Sequence, residues 1–201
     1  MNSTTAGHPD DGQRRSVLQL AAGLAAAGSG ALQGAQAAQN APSAQTSPRA
    51  PAPTGKPDDF DFLSGEWTIK NRQLKNGTWD HFDGEATVHG ILAGIGSVEE
   101  LRIPARNFSG MGLRLLDVER KLWADHWVNA RSGVLTPPPT WGSFVAGVGT
   151  WDADDQDGDT PVIYRGVWDQ ITPRSCRWFQ ASSRDGGKTW VENWVMHWTR
   201  R

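Results

Sequence analysis

The sequence predicts an all-β domain, a single antiparallel up-and-down β-barrel of eight to ten strands. Three observations predict it. Short apolar and aromatic runs recur from residue 66 onward, each bounded by turn residues. No helical periodicity follows the first forty residues. Two glycine turns, Asn76-Gly77 and Gly186-Gly187, supply the positive φ that folds neighbouring runs back on each other. A meander of this strand count closes most economically into a barrel, because closure removes both exposed edges.

Asp58-Asp59-Phe60-Asp61-Phe62-Leu63-Ser64 opens the domain. Its Phe60, Phe62 and Leu63 suit a turn or short helix that plugs one end. The first strand is expected over 66–74, with Trp67, Ile69 and Asn71 on one face and Glu66, Lys70 and Arg72 on the other. Lys75-Asn76-Gly77-Thr78 makes the hairpin to a strand at 79–91. Strands at 95–103, 111–117 and 121–130 follow, the last two joined through Asp117-Val118-Glu119-Arg120. Pro137-Pro138-Pro139 lacks backbone donors and marks a loop. Strands at 141–152 and 161–170 lead to the final hairpin.

That hairpin has arms near 175–183 and 188–199 around Ser183-Arg184-Asp185-Gly186-Gly187-Lys188. In its second arm Trp190, Trp194, Met196 and Trp198 alternate with Val191, Val195 and Thr199. Both faces are thus apolar, whereas a strand with one wet face alternates apolar with polar. One face is expected to meet a core or cavity, and the other a partner, loop or second layer.

Ahead of the domain, Arg14-Arg15-Ser16-Val17-Leu18 precedes a mild Ala- and Gly-rich apolar run, and Ala35-Gln36-Ala37 has the form of a cleavage site. Residues 1–37 are therefore expected to be a twin-arginine export signal, placing the protein in the periplasm or outside the cell. Residues 38–57, built from Ala, Pro, Gln, Ser and Thr, are expected to be a disordered linker. The folded domain is expected over 58–201.

A formal net charge of -2 over 201 residues argues against nucleic acid and anionic membrane as partners. No membrane insertion is expected once the signal is removed. Eleven Trp stand against one Tyr, large apolar area suited to cores and to stacking sites. Cys176 is the only cysteine, so no intramolecular disulfide exists.

Gly65-x-Trp67 on the first strand, with a basic residue at Arg200 ending the last, resembles the signature of the calycins, the lipocalins and their relatives. The resemblance implies that Gly65, Trp67 and Arg200 form the barrel base, the guanidinium lying over the indole. Across 59–200 the chain resembles more closely a family of bacterial lipocalin-like proteins of unknown function. The segments DFDFLSGEW, LRLLD, GVWDQIT and SSRDGGKTWVENWVM carry that likeness.

Several motifs invite chemistry and are better read as structure. Ser183-x-Asp185-x-Gly187-x-Thr189-Trp190 matches the Asp-box of sialidases, itself a structural hairpin, and one copy does not make a propeller. The acidic run 152–159 fails as a calcium loop, since the ligand position twelve residues along is Tyr164. His81, His89, His126 and His197 form no H-x-H pair, so no metal site is expected. His197 sits where a barrel wall can offer one haem ligand, yet a packed or hydrogen-bonded histidine is the preferred reading, and no cofactor is expected. Cys176 reads as a small core residue.

The polar residues within apolar runs are the candidate ligand contacts: Arg114, Arg165, Gln180, Asn193 and His197, with Trp127, Trp168 and Trp194 as aromatic walls. A buried Arg165 demands a partner or an anionic ligand, with Glu99, Glu100 or Glu192 as structural partners. The reading preferred is a binding protein for a small, largely apolar molecule, with or without an acidic group. An enzyme on the same barrel, of isomerase, cyclase or lyase type, would need a cavity-facing pair such as Glu192 with His197 or Glu100 with Arg165. No catalytic residue is assigned. A self-associating module would use the second apolar face of the last hairpin to form a homodimer.

Overall fold

The computed structural model describes residues 50–135 and 137–201. The expected export signal and most of the expected linker lie outside them. Ten antiparallel strands close into a barrel: β1 (Gly65–Lys75), β2 (Thr78–Ile91), β3 (Gly96–Ile103), β4 (Phe108–Asp117), β5 (Leu122–Asn129), β6 (Thr140–Val145), β7 (Val148–Asp157), β8 (Thr160–Asp169), β9 (Ser175–Ser183) and β10 (Val191–Arg200). Consecutive strands pair, and β1 pairs with β10 from Trp67↔Arg200 to Gln73↔Trp194.

The single strand expected over 141–152 is two. Ala146 and Gly147 take φ of 51° and 79°, and Val145 pairs with Val148 across them. This is a two-residue turn with both central residues left-handed. Alanine rarely occupies that region, which hides the turn from a reading of residue types.

The interior accommodates its indoles by placing them against glycines. A Cβ on Gly110 would lie 2.2 Å from the Trp127 ring, and one on Gly142 2.5 Å from Trp151. Both glycines face inward by register, Gly110 opposite Asn129 and Gly142 opposite Trp123. Interiors are packed to crystal density, so a large side chain needs a missing one beside it.

One end of the barrel is closed. The 3-10 turn Asp61–Leu63 brings Phe60, Phe62 and Leu63 across it. Phe60 packs edge-on to Trp123 at 4.9 Å and Phe144 at 5.0 Å. Arg200 lies over Trp67, 4.3 Å from the ring centroid. Its guanidinium donates to the backbone carbonyls of Pro173 (2.9 Å), Ser64 (2.5 Å) and Phe62 (2.6 Å). The Trp67 indole donates to Leu63 at 2.7 Å. Gly65 has φ of 130°, and any Cβ there would meet the guanidinium at 2.5 Å. Part of the expected linker also belongs to this end. Ser143 Oγ donates to Ala52, Thr54 Oγ1 to Phe144, and the Gly55 amide to Lys121, so ordered chain begins before Asp58.

The wall is thinnest between β5 and β7. β5 pairs with β6 only at residues 123–125, and a single bridge, Val128↔Leu135, continues the contact through the proline loop. Val134 and Leu135 in that loop are exposed.

The outer surface of β8–β10 carries a second layer of arginines on aromatic rings. Arg165 lies over Trp190 at 3.9 Å and Arg177 over Phe179 at 4.5 Å. Val195 and Val167 on the same strands are buried. Trp190 does not share the face of Trp194, Met196 and Trp198. The register shifts between Glu192 and Trp194, and this β-bulge turns Trp190 outward while Trp194 enters the barrel.

Candidate functional site

Three charged side chains meet inside the barrel, each on a strand position whose register faces inward. Glu99 stands on β3, Arg114 on β4 and Asp125 on β5. Alternation carries them there: Leu101 and Ile103 share the face of Glu99, Leu116 that of Arg114, and Trp123 and Trp127 that of Asp125. Arg114 Nη2 donates to Glu99 Oε2 at 2.6 Å, with both side chains nearly inaccessible. Arg114 Nε and Nη1 have no hydrogen-bond acceptor. The guanidinium lies 5.1 Å from the Phe60 ring and 5.5 Å from Trp168, so π faces flank it.

Asp125 differs from the other two. Its Oδ1 is 3.7 Å from Arg114 Nε, an ion-pair distance but no hydrogen bond. Although it faces inward, 30% of its side chain stays accessible. The carboxyl thus lies among packed strands and still keeps accessible surface. Burial raises its pKa to about 6, Glu99 adds to that rise, and Arg114 opposes it.

Missing side chains shape the surrounding space. Gly112 faces inward opposite Trp127, and a Cβ there would meet Arg114 Nη2 at 3.2 Å. Trp127 leans over Gly110 and stacks on Phe108 at 6.3 Å and 14°. Both rings point inward yet are only partly buried, as is Trp178, which packs edge-on to Trp194 at 5.7 Å. Inward, partly buried aromatic side chains thus share the barrel interior with the charged cluster.

Of the sequence candidates, Arg114, Trp127, Trp168, Gln180, Asn193 and Trp194 lie on the interior side. Gln180 donates to Asn193 at 2.9 Å, and the Trp194 indole to Asn71 at 3.0 Å. Asn193 is the bulge residue, which is why it reaches Gln180 from beside Trp194. Trp168 is buried near the closed end, edge-on to Trp198 at 5.3 Å. Arg165 and His197 do not face the interior. Arg165 points outward and holds Asp152 through two bonds of 2.7 Å, a partner that the sequence reading did not name. His197 is exposed on β10, opposite Lys70 and Arg177. The cavity-facing pairs considered for an enzyme fail on the same ground. Glu100 pairs with Arg102, and Glu192 pairs with Arg72 and Arg177, all on the outer surface.

Reading by residue type offered Glu99 as a partner of Arg165 rather than of Arg114 and missed Asp125. A signal for Asp125 was present: it stands midway between Trp123 and Trp127 in a strand of alternating faces. Cys176 is buried, its thiol pushed up to about 12 by burial with Glu99 nearby, and it is no nucleophile at neutral pH. In the Ser183–Trp190 hairpin, Asp185 accepts from Ser183 Oγ, the amides of Lys188 and Thr189, and Thr189 Oγ1. The Thr189 bonds above all hold its carboxyl well below the usual range. Both oxygens of that carboxylate accept from its own turn.

No protein-family model matches the chain, and no curated protein matches it significantly. Among solved structures it is similar to a protein of unknown function from the DUF3598 family of Nostoc punctiforme. The identity is 14% and the TM-score 0.40, over 77% of this chain and 52% of that one. The chain thus spans about half the length of that neighbour.

Proposed function

We propose that the protein binds a small, largely apolar molecule inside the barrel, and that it does so as an exported lipocalin-like protein. One observation carries the binding reading: aromatic side chains directed inward, Trp127, Phe108 and Trp178, keep accessible surface, and the inward Asp125 carboxyl accepts no hydrogen bond. A core that needed only to be stable would close over those rings, because each buried apolar Å² contributes about 25 cal/mol. Concave aromatic surface with a few convergent polar groups is the general form of a small-molecule site. The twin-arginine pattern supports export, and the Gly65–Trp67–Arg200 base supports the lipocalin-like assignment.

The test is titration with an uncharged apolar fluorophore, N-phenylnaphthylamine. Saturable enhancement at one site per chain is expected, abolished by Gly112→Leu, which adds an inward side chain beside Arg114. Circular dichroism would show that the variant folds. No binding to the parent, or binding indifferent to Gly112→Leu in a folded variant, would refute an interior site.

A second reading has one observation behind it. A carboxyl with a pKa near 6 among aromatic side chains has the form of a general acid or base. On that reading Asp125→Asn would keep binding and lose turnover.

A further inference from the structure

The charge of the interior narrows the class of ligand. Arg114 and Glu99 are bonded at 2.6 Å and cancel one another. Nearer the open end, Arg106 and Asp80 form a second pair, at 2.5 Å, with Arg106 stacked 3.3 Å over Phe82. Asp125 has only the 3.7 Å ion-pair contact with Arg114 Nε, and no described residue donates a hydrogen bond to it. An anionic ligand would meet that carboxylate, and the two Arg114 donors that Glu99 leaves unbonded, Nε and Nη1, are inaccessible. An organic cation would find a carboxylate that accepts no hydrogen bond, on the same strand face as the Trp127 ring, and a carboxylate and aromatic rings are the two features that stabilise a desolvated ammonium. Trp127 stands two residues along the same strand face from Asp125, and its ring stacks on Phe108.

We infer that the barrel selects a planar apolar molecule bearing a protonated amine, with Asp125 accepting from the ammonium and the Trp127–Phe108 stack lying against its body. This reverses the anionic option that Arg165 suggested in the sequence. It rests on the proposal of an interior site and adds the headgroup.

The groups facing Asp125 also set its pH dependence. From β4 comes Arg114 and from β3 Glu99, while β6 presents Thr140, which does not titrate. Cys176 on β9 stays neutral. The guanidinium stays charged and is tied to Glu99. Proton uptake by Asp125 is then the event that removes the negative charge, and amine binding weakens as pH falls through its midpoint.

The experiment compares three ligands alike except for the headgroup, naphthylmethylamine, naphthylmethanol and naphthoate, by tryptophan quenching and calorimetry from pH 5 to pH 8. At pH 7.5 the amine is expected to bind about tenfold or more tighter than the alcohol, the ratio of a charge-assisted hydrogen bond, and naphthoate weakest. The amine's advantage should shrink towards pH 5 and vanish in Asp125→Asn, while that variant still binds the alcohol. Amine and alcohol binding equally, or naphthoate binding best, would overturn the amine inference and leave the interior site standing. An amine preference that survives Asp125→Asn would overturn it as well. Failure of all three ligands to bind would count against the interior site itself.

Discussion

Replacing Asp125 with Asn should make the protein more stable at neutral pH. The carboxyl titrates near 6 in the folded barrel against 3.8 in open chain, because burial disfavours its charge more than Arg114 restores it. Between these values the unfolded chain has released the proton and the folded protein still holds it. Folding stability therefore falls as pH rises from about 4 to about 6, then levels. The full cost is about 3 kcal/mol, at 1.36 kcal/mol for each unit of difference. The amide keeps the shape and carries no charge. Urea unfolding of parent and Asp125→Asn at pH 4, 5, 6 and 7 measures the gap directly. At pH 4 the two should be nearly equal, and by pH 7 the variant should lead by about 1–3 kcal/mol, solvent reaching the carboxyl accounting for the lower figure. Taking the difference at each pH cancels the other carboxylates, which titrate alike in both proteins. A gap that stays constant with pH would show that folding does not raise the Asp125 pKa, and a variant that loses stability relative to the parent as pH rises to 7 would show that Asp125 is stabilised as an anion.

The closed end should respond to mutation as one unit. Trp67→Ala should cost about 3–5 kcal/mol through lost burial and a cavity, and Arg200→Ala about 2–4 kcal/mol, since three backbone carbonyls lose a charged donor. The double mutant should fall short of their sum, as thermal melts of all three proteins would show. Glu99→Ala strands the buried Arg114 charge and should cost about 3–5 kcal/mol by urea unfolding, far more than Glu100→Ala on the outer wall. Asp185→Ala should raise amide exchange at Lys188 and Thr189. The stability this carboxylate contributes is present above its ordinary pKa of 3.8 and lost as pH falls towards its depressed folded value. Haemin added to the protein should give no Soret band that depends on His197, because that side chain stands on the outer wall.

The barrel was legible in the sequence because its signals are local. Asn76-Gly77 and Gly186-Gly187 announce their turns, and the alternation Trp67, Ile69, Asn71 shows which face of β1 is inward. Ala146-Gly147 stayed hidden because its first residue is a poor occupant of the conformation it adopts. The faces of β10 were misread at two places: His197, named as a ligand contact, stands on the outer wall, and Trp190 leaves the face of Trp194. A bulge at Asn193 shifts the parity of the strand, so Trp190 and Trp194 separate despite a spacing that unites them on a regular strand. The site was less legible for a different reason. An acidic residue in a strand reads as solvent-facing by default, and only the register shows that Glu99 and Asp125 turn towards Arg114. Arg165 drew attention as a cation between apolar neighbours, but Asp152 waits for it across the β7–β8 ladder, on the outside.

The pairing of β1 with β10 has a consequence for how the chain reaches its fold. Every other strand pair joins neighbours in sequence and forms within a short segment. The last seam joins Trp67 to Arg200, and closing it directly from open chain would cost about 3–4 kcal/mol more in chain entropy than a two-residue hairpin. Built after the meander, it costs far less, since the curled sheet already holds its two edges close. Refolding should therefore proceed as a sheet that zips through its hairpins and locks at the end. In pulsed hydrogen exchange the seam amides of β1 and β10 should gain protection last. Seam protection before that of β4 and β5 would show the ends meeting first. Until the lock forms, β1 and β10 are bare edges able to pair with a second chain, so an exchanged-strand dimer is the characteristic misassembly of this topology.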